Sequence, residues 1–120
     1  MMFRVIIAGG RDFTDYDLLK QHCDYMLSRR AEGEEIVVIS GGASGADALG
    51  EKYARERGYS LRQFPAKWEL YGKRAGPMRN REMADNADAL IAYWDGKSRG
   101  TKNMIEEATK RGLKVSVKNY

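Results

Sequence analysis

Short apolar runs alternate along the chain with segments whose apolar residues recur every three or four positions. Residues 3–8 form an apolar run that Gly9 and Gly10 stop, and they read as a buried strand. Residues 15–30 read as a helix, with Thr14 or Asp15 as the cap and Leu19, Cys23, Met26 and Leu27 on one face. Residues 35–40 hold Ile36-Val37-Val38-Ile39, an unbroken β-branched run of the kind found in strands covered on both faces. A second helix is expected over 45–57, with Ala46, Leu49 and Tyr53 inward and Gly58 as its stop.

A short strand over 60–64 follows, then an irregular stretch over 65–76 in which Trp68, Tyr71, Gly72 and Gly76 mark a functional loop. Pro77 suits the first turn of a helix running to Asn86. Residues 87–93 read as a fourth buried strand, 94–100 as a polar loop, 101–111 as a helix and 114–118 as a last strand. Strand and helix in alternation argue for a parallel sheet with right-handed crossovers. The expectation is therefore one α/β domain over residues 1–120: Rossmann-like, three layers, five parallel strands in the order 3-2-1-4-5. Such sheets bind ligands beyond the carboxyl ends of their strands, where the winding reverses.

Four loops at that edge carry the candidate chemistry. Gly9-Gly10-Arg11-Asp12 lets backbone approach a ligand and offers Arg11 as a bidentate phosphate donor, although such a turn also serves as a plain strand exit. Ser40-Gly41-Gly42-Ala43-Ser44-Gly45-Ala46-Asp47 places small residues at a helix start, where free amides and the helix dipole favour an anion. The plainer alternative is that Ser44 caps the helix and Asp47 offsets its dipole. The loop has neither the Gly-Lys-Ser/Thr of a Walker A loop nor the spacing of the dinucleotide fingerprint. Gly76 to Glu82 brings Arg79, Asn80 and Arg81 to a helix start, an unfavourable place for arginine unless an anion is bound. The two arginines do not share a face, so one of them is expected to enter the cleft. Trp94-Asp95-Gly96-Lys97-Ser98-Arg99-Gly100-Thr101 repeats the anion logic at Gly100 and Thr101, while Trp94 either stacks on a base or packs at the rim.

Composition narrows the classes. With 42% hydrophobic and 32% charged residues, the 120-residue chain has the make-up of an ordinary globular domain. No apolar run approaches the roughly 20 residues of a membrane span, and the start is too briefly apolar for a secretory signal. Cys23 and His22 are the only residues of their kinds, which excludes an internal disulfide and a cysteine-based zinc site, and no metal is expected. A cytoplasmic location is the default expectation. The net charge of +4 is uneven: nine basic against three acidic residues fall between Glu51 and Arg81, leaving the remainder at −2. That middle suits a phosphate-bearing partner, either a small molecule or a nucleic acid, or else forms a solvated surface.

The motifs Gly9-Gly-Arg-Asp-Phe13, Ser40 to Asp47, Gly76-Pro-Met-Arg-Asn-Arg81 and Ser98-Arg-Gly-Thr101, in this order over residues 3–117, resemble the SLOG superfamily, and within it the YspA/YpsA-related branch. The Ser40–Asp47 segment is similar to the Ser-Gly-Gly-Ala-Arg-Gly-Ile-Asp motif of DprA, a Rossmann-like single-stranded DNA binder. Met78 to Arg81 and Gly100-Thr101 are similar to motifs of the LOG phosphoribohydrolases, which cut the N-glycosidic bond of cytokinin nucleotides. Those enzymes carry an arginine that Arg81 matches and a Gly-Thr-x-x-Glu with a catalytic glutamate, whose place Met104 takes here. Glu106 would point about 200° around the helix from it. Cleavage of the N-glycosidic type calls for a carboxylate, which leaves Asp47 and Asp95 as candidates beside Arg81. The resemblance thus implies a bound mononucleotide or a ligand like NAD or ADP-ribose. Phosphates would fall to Arg11, Ser44, Gly45, Gly100 and Thr101 and the sugar or base to Asn80 and Asp95. A DprA-like DNA-binding role, a hydrolase and a homo-oligomer are its further implications.

Overall fold

The computed structural model describes residues Met1–Tyr120. Five strands, β1 (Met2–Gly9), β2 (Glu35–Ser40), β3 (Ser60–Gln63), β4 (Ala89–Trp94) and β5 (Lys114–Asn119), form one all-parallel sheet in the order β3-β2-β1-β4-β5. The expected order and fold class are the observed ones. Helices α1 (Tyr16–Ala31), α2 (Ala46–Arg57), α4 (Ala75–Asp85) and α5 (Arg99–Lys110) make the crossovers, and a short α3 (Trp68–Tyr71) with a 3-10 turn (Gly72–Arg74) precedes α4.

Alternation along the strands divides the core in two. Val5, Ile7, Ile36, Val38, Ala89 and Ile91 face Leu19, Cys23 and Leu27 of α1 and Ala46 and Tyr53 of α2. Ile6, Ala8, Ile39, Leu90 and Ala92 face Met83 and Ala84 of α4 and Met104 and Ala108 of α5. β1 is central, and its Val5, Ile6 and Ile7 have no exposed surface. Each such side chain contributes about 1.5–3 kcal/mol by leaving water. At the opposite edge from the loops, Arg4 pairs with Asp88 and locks the starts of β1 and β4 together.

The departures from expectation have local causes. Met26 is 41% exposed, because Leu19, Cys23 and Leu27, four apart, already make the inward line of α1 and Met26 lies off it. Asp15, not Thr14, caps α1, its Oδ1 accepting from the Leu18 amide at 3.1 Å. Helix α4 starts at Ala75, two residues before Pro77, and continues directly from the turn before it. The proline still falls in the first turn, where no intrahelical donor is needed. Ser44 does not cap α2: Gly45 occupies the cap with φ +74° and ψ −128°, and a side chain there would run into the Gly10 and Arg11 backbone.

A cleft at the carboxyl edge of the sheet

The ends of β1 and β4 and the starts of α4 and α5 enclose a cleft of about 720 Å³, with α3 and the turn after it on one side. That volume lies within the range of small-molecule sites. Only 5 of its 21 lining residues are hydrophobic, and polar and charged side chains make up much of its wall.

Arg11, Lys73, Arg79 and Arg99 line the cleft, and none of them pairs with a carboxylate of the chain. The arginines Arg4, Arg30, Arg57 and Arg111 do pair, all on other surfaces. Arg79 is anchored without being neutralised. Its Nη1 donates to the Gly41 carbonyl at 2.7 Å and its Nε to Asn80 Oδ1 at 3.1 Å. A Cβ at Gly41 would overlap the Arg79 guanidinium, so a side chain there would displace the anchored arginine. Burial lowers the Arg79 pKa, Asp47 opposes this, and the nearby Arg11 lowers it further. Two guanidiniums held close together make a site that an anion would relieve.

Asp47, in the first turn of α2, is buried in the cleft wall, and its Oδ2 accepts from the Ala43 amide at 3.2 Å. Desolvation raises its pKa to about 6, against the lowering pull of the Ala43 amide and Arg79. Asp95 differs: Oδ1 accepts from the amides of Lys97 and Ser98, both at 2.8 Å, and this holds its pKa below the usual range. Of the carboxyls lining the cleft, Asp47 is thus raised towards neutrality and Asp95 is held ionised.

Of the residues singled out from the sequence, Gly9, Gly10, Arg11, Ala43, Asp47, Arg79, Asn80, Asp95, Gly100 and Thr101 line this one cleft. Asn80 does so with its amide engaged, donating to the Gly100 carbonyl at 3.2 Å and Asn103 Oδ1 at 3.0 Å and so tying α4 to α5. The others lie elsewhere. Ser40 is fully buried, its Oγ donating to Glu51 Oε2 at 2.7 Å and accepting from the Gly42 amide at 3.1 Å. Gly41, Gly42, Ser44 and Gly45 are outside the lining, because the loop folds onto its own helix and onto the β1 exit, where the Ala46 amide donates to the Gly10 carbonyl at 3.1 Å. Arg81 is exposed beyond the cleft, as its offset from Arg79 around α4 dictates. Trp94 does not reach the cleft either. Its Nε1 donates to the Ser98 carbonyl at 3.1 Å, so it braces the loop into α5.

Eleven lining residues lie outside the expected site residues, and those with polar or aromatic side chains are Trp68, Lys73, Asp12, Ser98, Arg99 and Asn103. The unpaired aromatic and basic residues of 65–76 were the available signal for the first two. Met104, at the position of the phosphoribohydrolase motif's glutamate, is buried at the cleft.

The sequence model of the YspA, cpYpsA-related SLOG family matches residues 3–71, from β1 through α3. The gene 61 protein of Mycobacterium phage D29 is 37% identical over 120 residues, covering 95% of this chain and 94% of that protein. Among solved structures, the structural-genomics target TM1055 aligns with a TM-score of 0.66 at 23% identity, over 96% of this chain and 72% of that one. DNA processing protein A from Helicobacter pylori, described for its single-stranded DNA binding mode, aligns with a TM-score of 0.62 at 22% identity, over 96% of this chain and 64% of that one. The two structures share the fold, and no helix of this chain is long and apolar enough to cross a membrane. The match over more than half its length and the phage relative place the chain in the YspA, cpYpsA-related SLOG family.

Proposed function

We propose that this chain binds a nucleotide or nucleotide-derived ligand in the cleft, with phosphate at Arg11 and Arg79 and the start of α5 at Gly100 and Thr101. The observation that carries the reading is the cluster of four cationic side chains that the chain leaves without a carboxylate partner. Thermal unfolding in the presence of mononucleotides, NAD, ADP-ribose and dinucleotides tests it. A ligand at about 100 times its Kd adds about 2.7 kcal/mol, a shift of several degrees for a domain of this size. Arg79→Ala should weaken binding about 10- to 100-fold, the worth of hydrogen bonds to a charged group, while Arg81→Ala leaves it unchanged. Equal loss in both variants would count against the cleft.

The opposite pKa directions of Asp47 and Asp95 favour an extension of this reading to hydrolysis of an N-glycosidic bond. In that reaction the bond from C1′ to the base nitrogen breaks, water oxygen bonds to C1′, Asp95 takes the water proton and Asp47 donates one to the departing base. Release of free base on incubation, abolished in Asp47→Asn, is the expected sign. DNA processing protein A suggests another partner, single-stranded DNA. Exposed Arg62, Lys67 and Arg74 interleaved with Trp68 and Tyr71 support it. Such binding would weaken steeply with salt.

A further inference from the structure

We propose that Trp68 is the base subsite of the cleft, so that the ligand is a nucleotide whose aromatic base stacks on the indole while its phosphate reaches the arginines. The inference rests on the ligand reading above and deepens it, because it separates an aromatic nucleotide from a bare sugar phosphate.

Trp68 belongs to a four-residue helix in which no side chain is buried, yet it lines the cleft with 48% of its surface exposed. Folding therefore leaves about half of the indole in water, although an aromatic ring buried in a core is among the larger apolar contributions to stability. The ring lies over the bare start of α4. A Cβ added at Gly76, also a lining residue, would sit 3.1 Å from Trp68 Cη2. The absence of a side chain at that position is what lets the indole settle against the cleft wall. No hydrogen bond holds its Nε1 within the chain, in contrast to Trp94, which is outside the lining and has its indole N–H fixed on the Ser98 carbonyl.

The surroundings complete the case. Lys73, one turn beyond Trp68, lines the same cleft, as do Arg11 and Arg79. The cleft thus sets an aromatic ring beside several cations. A flat aromatic group joined to an anion satisfies both, and every nucleobase presents the π-face that stacking needs. A sugar phosphate would satisfy only the cations.

The test uses Trp94→Phe, which leaves Trp68 as the only tryptophan. Its emission is followed while the four nucleoside monophosphates and, separately, ribose 5-phosphate are added, with affinities measured in parallel by calorimetry. At least one monophosphate should quench the emission and ribose 5-phosphate should bind without quenching. Trp68→Ala should weaken the monophosphate about tenfold or more, leave ribose 5-phosphate unchanged, and keep the parent's melting temperature; Trp68→Phe should retain most of the affinity. Should Trp94→Phe fail to fold, the difference in emission between the parent and Trp68→Phe isolates the same signal. Equal monophosphate affinity in the parent and Trp68→Ala would overturn the subsite while leaving the cleft reading intact. Absence of binding by every probe to the parent would overturn the cleft reading and this inference with it.

Discussion

The loop from Ser40 to Gly45 and the segment from Pro65 to Arg74 stand in contrast. The loop is small, glycine-rich and wired inward: Ser40 holds Glu51 and the Gly42 amide, Gly41 accepts from Arg79, and Gln63 Nε2 completes the ring on Glu51 Oε1 at 3.0 Å. The segment is long-chained, aromatic and basic, and only Phe64 before it and Ala75 after it are buried. One region spends its polar groups on its own geometry, while the other leaves them available. Glycine richness at a strand end therefore identifies where the backbone is tightly packed, and the groups that meet a ligand come from longer side chains around it.

Stability is the first place where this contrast can be broken. Gly45→Ala puts a side chain at φ +74° and against the Gly10–Arg11 backbone, which should cost about 3 kcal/mol and lower Tm by roughly 10 °C. Unfolding at the parent's temperature would mean that the loop is not the rigid partner of the pair.

A smaller effect is expected at Asp47, where loop and cleft meet. Its folded pKa is raised to about 6 by desolvation, so the stability it contributes is complete below the unfolded value near 4 and drains as pH rises through 6. Asp47→Asn does not titrate, and carboxylates elsewhere, such as Asp24 and Asp88, cancel in the comparison with the parent. The variant should gain on the parent by about 2 kcal/mol between pH 4 and pH 8 in urea unfolding. A difference that is flat across that range would show that Asp47 is not desolvated.

The smallest effect separates the two serines. Ser40→Ala strands the Gly42 amide and one oxygen of Glu51 and should cost about 1–2 kcal/mol. Ser44→Ala, at an exposed side chain with no hydrogen bond, should change neither Tm nor nucleotide affinity. Loss of affinity in Ser44→Ala with unchanged stability would return the glycine-rich loop to the ligand side of the contrast.

Much of the fold was legible because the strands and long helices obey periods of two and 3.6. The run Ile36–Ile39 and the line Leu19–Cys23–Leu27 each define a buried surface without reference to the rest of the chain. Helix α3 obeyed no such rule, since four exposed residues leave no periodic trace. The cleft was legible at Arg11, Asp47, Arg79 and Gly100, whose position follows from strand ends and helix starts. It was illegible where a side chain had two chemically sensible destinations. Ser40 could serve an anion or Glu51, Trp94 a base or the Ser98 carbonyl, and only the neighbours brought by tertiary packing decide between them.

The burial of Cys23 bears on how the protein can be interrogated. The thiol has no exposed surface, sits 3.5 Å from the Tyr93 hydroxyl, and has its pKa pushed up to about 12 by desolvation. In the folded state it should ignore maleimides and iodoacetamide, since the reactive species is the thiolate. The native chain is thus already a silent background for thiol labelling. A fluorophore or spin label carried on Ser44→Cys, in the loop before α2, or on Tyr71→Cys, in the same short helix as Trp68, would report from that one position, with no cysteine to remove first.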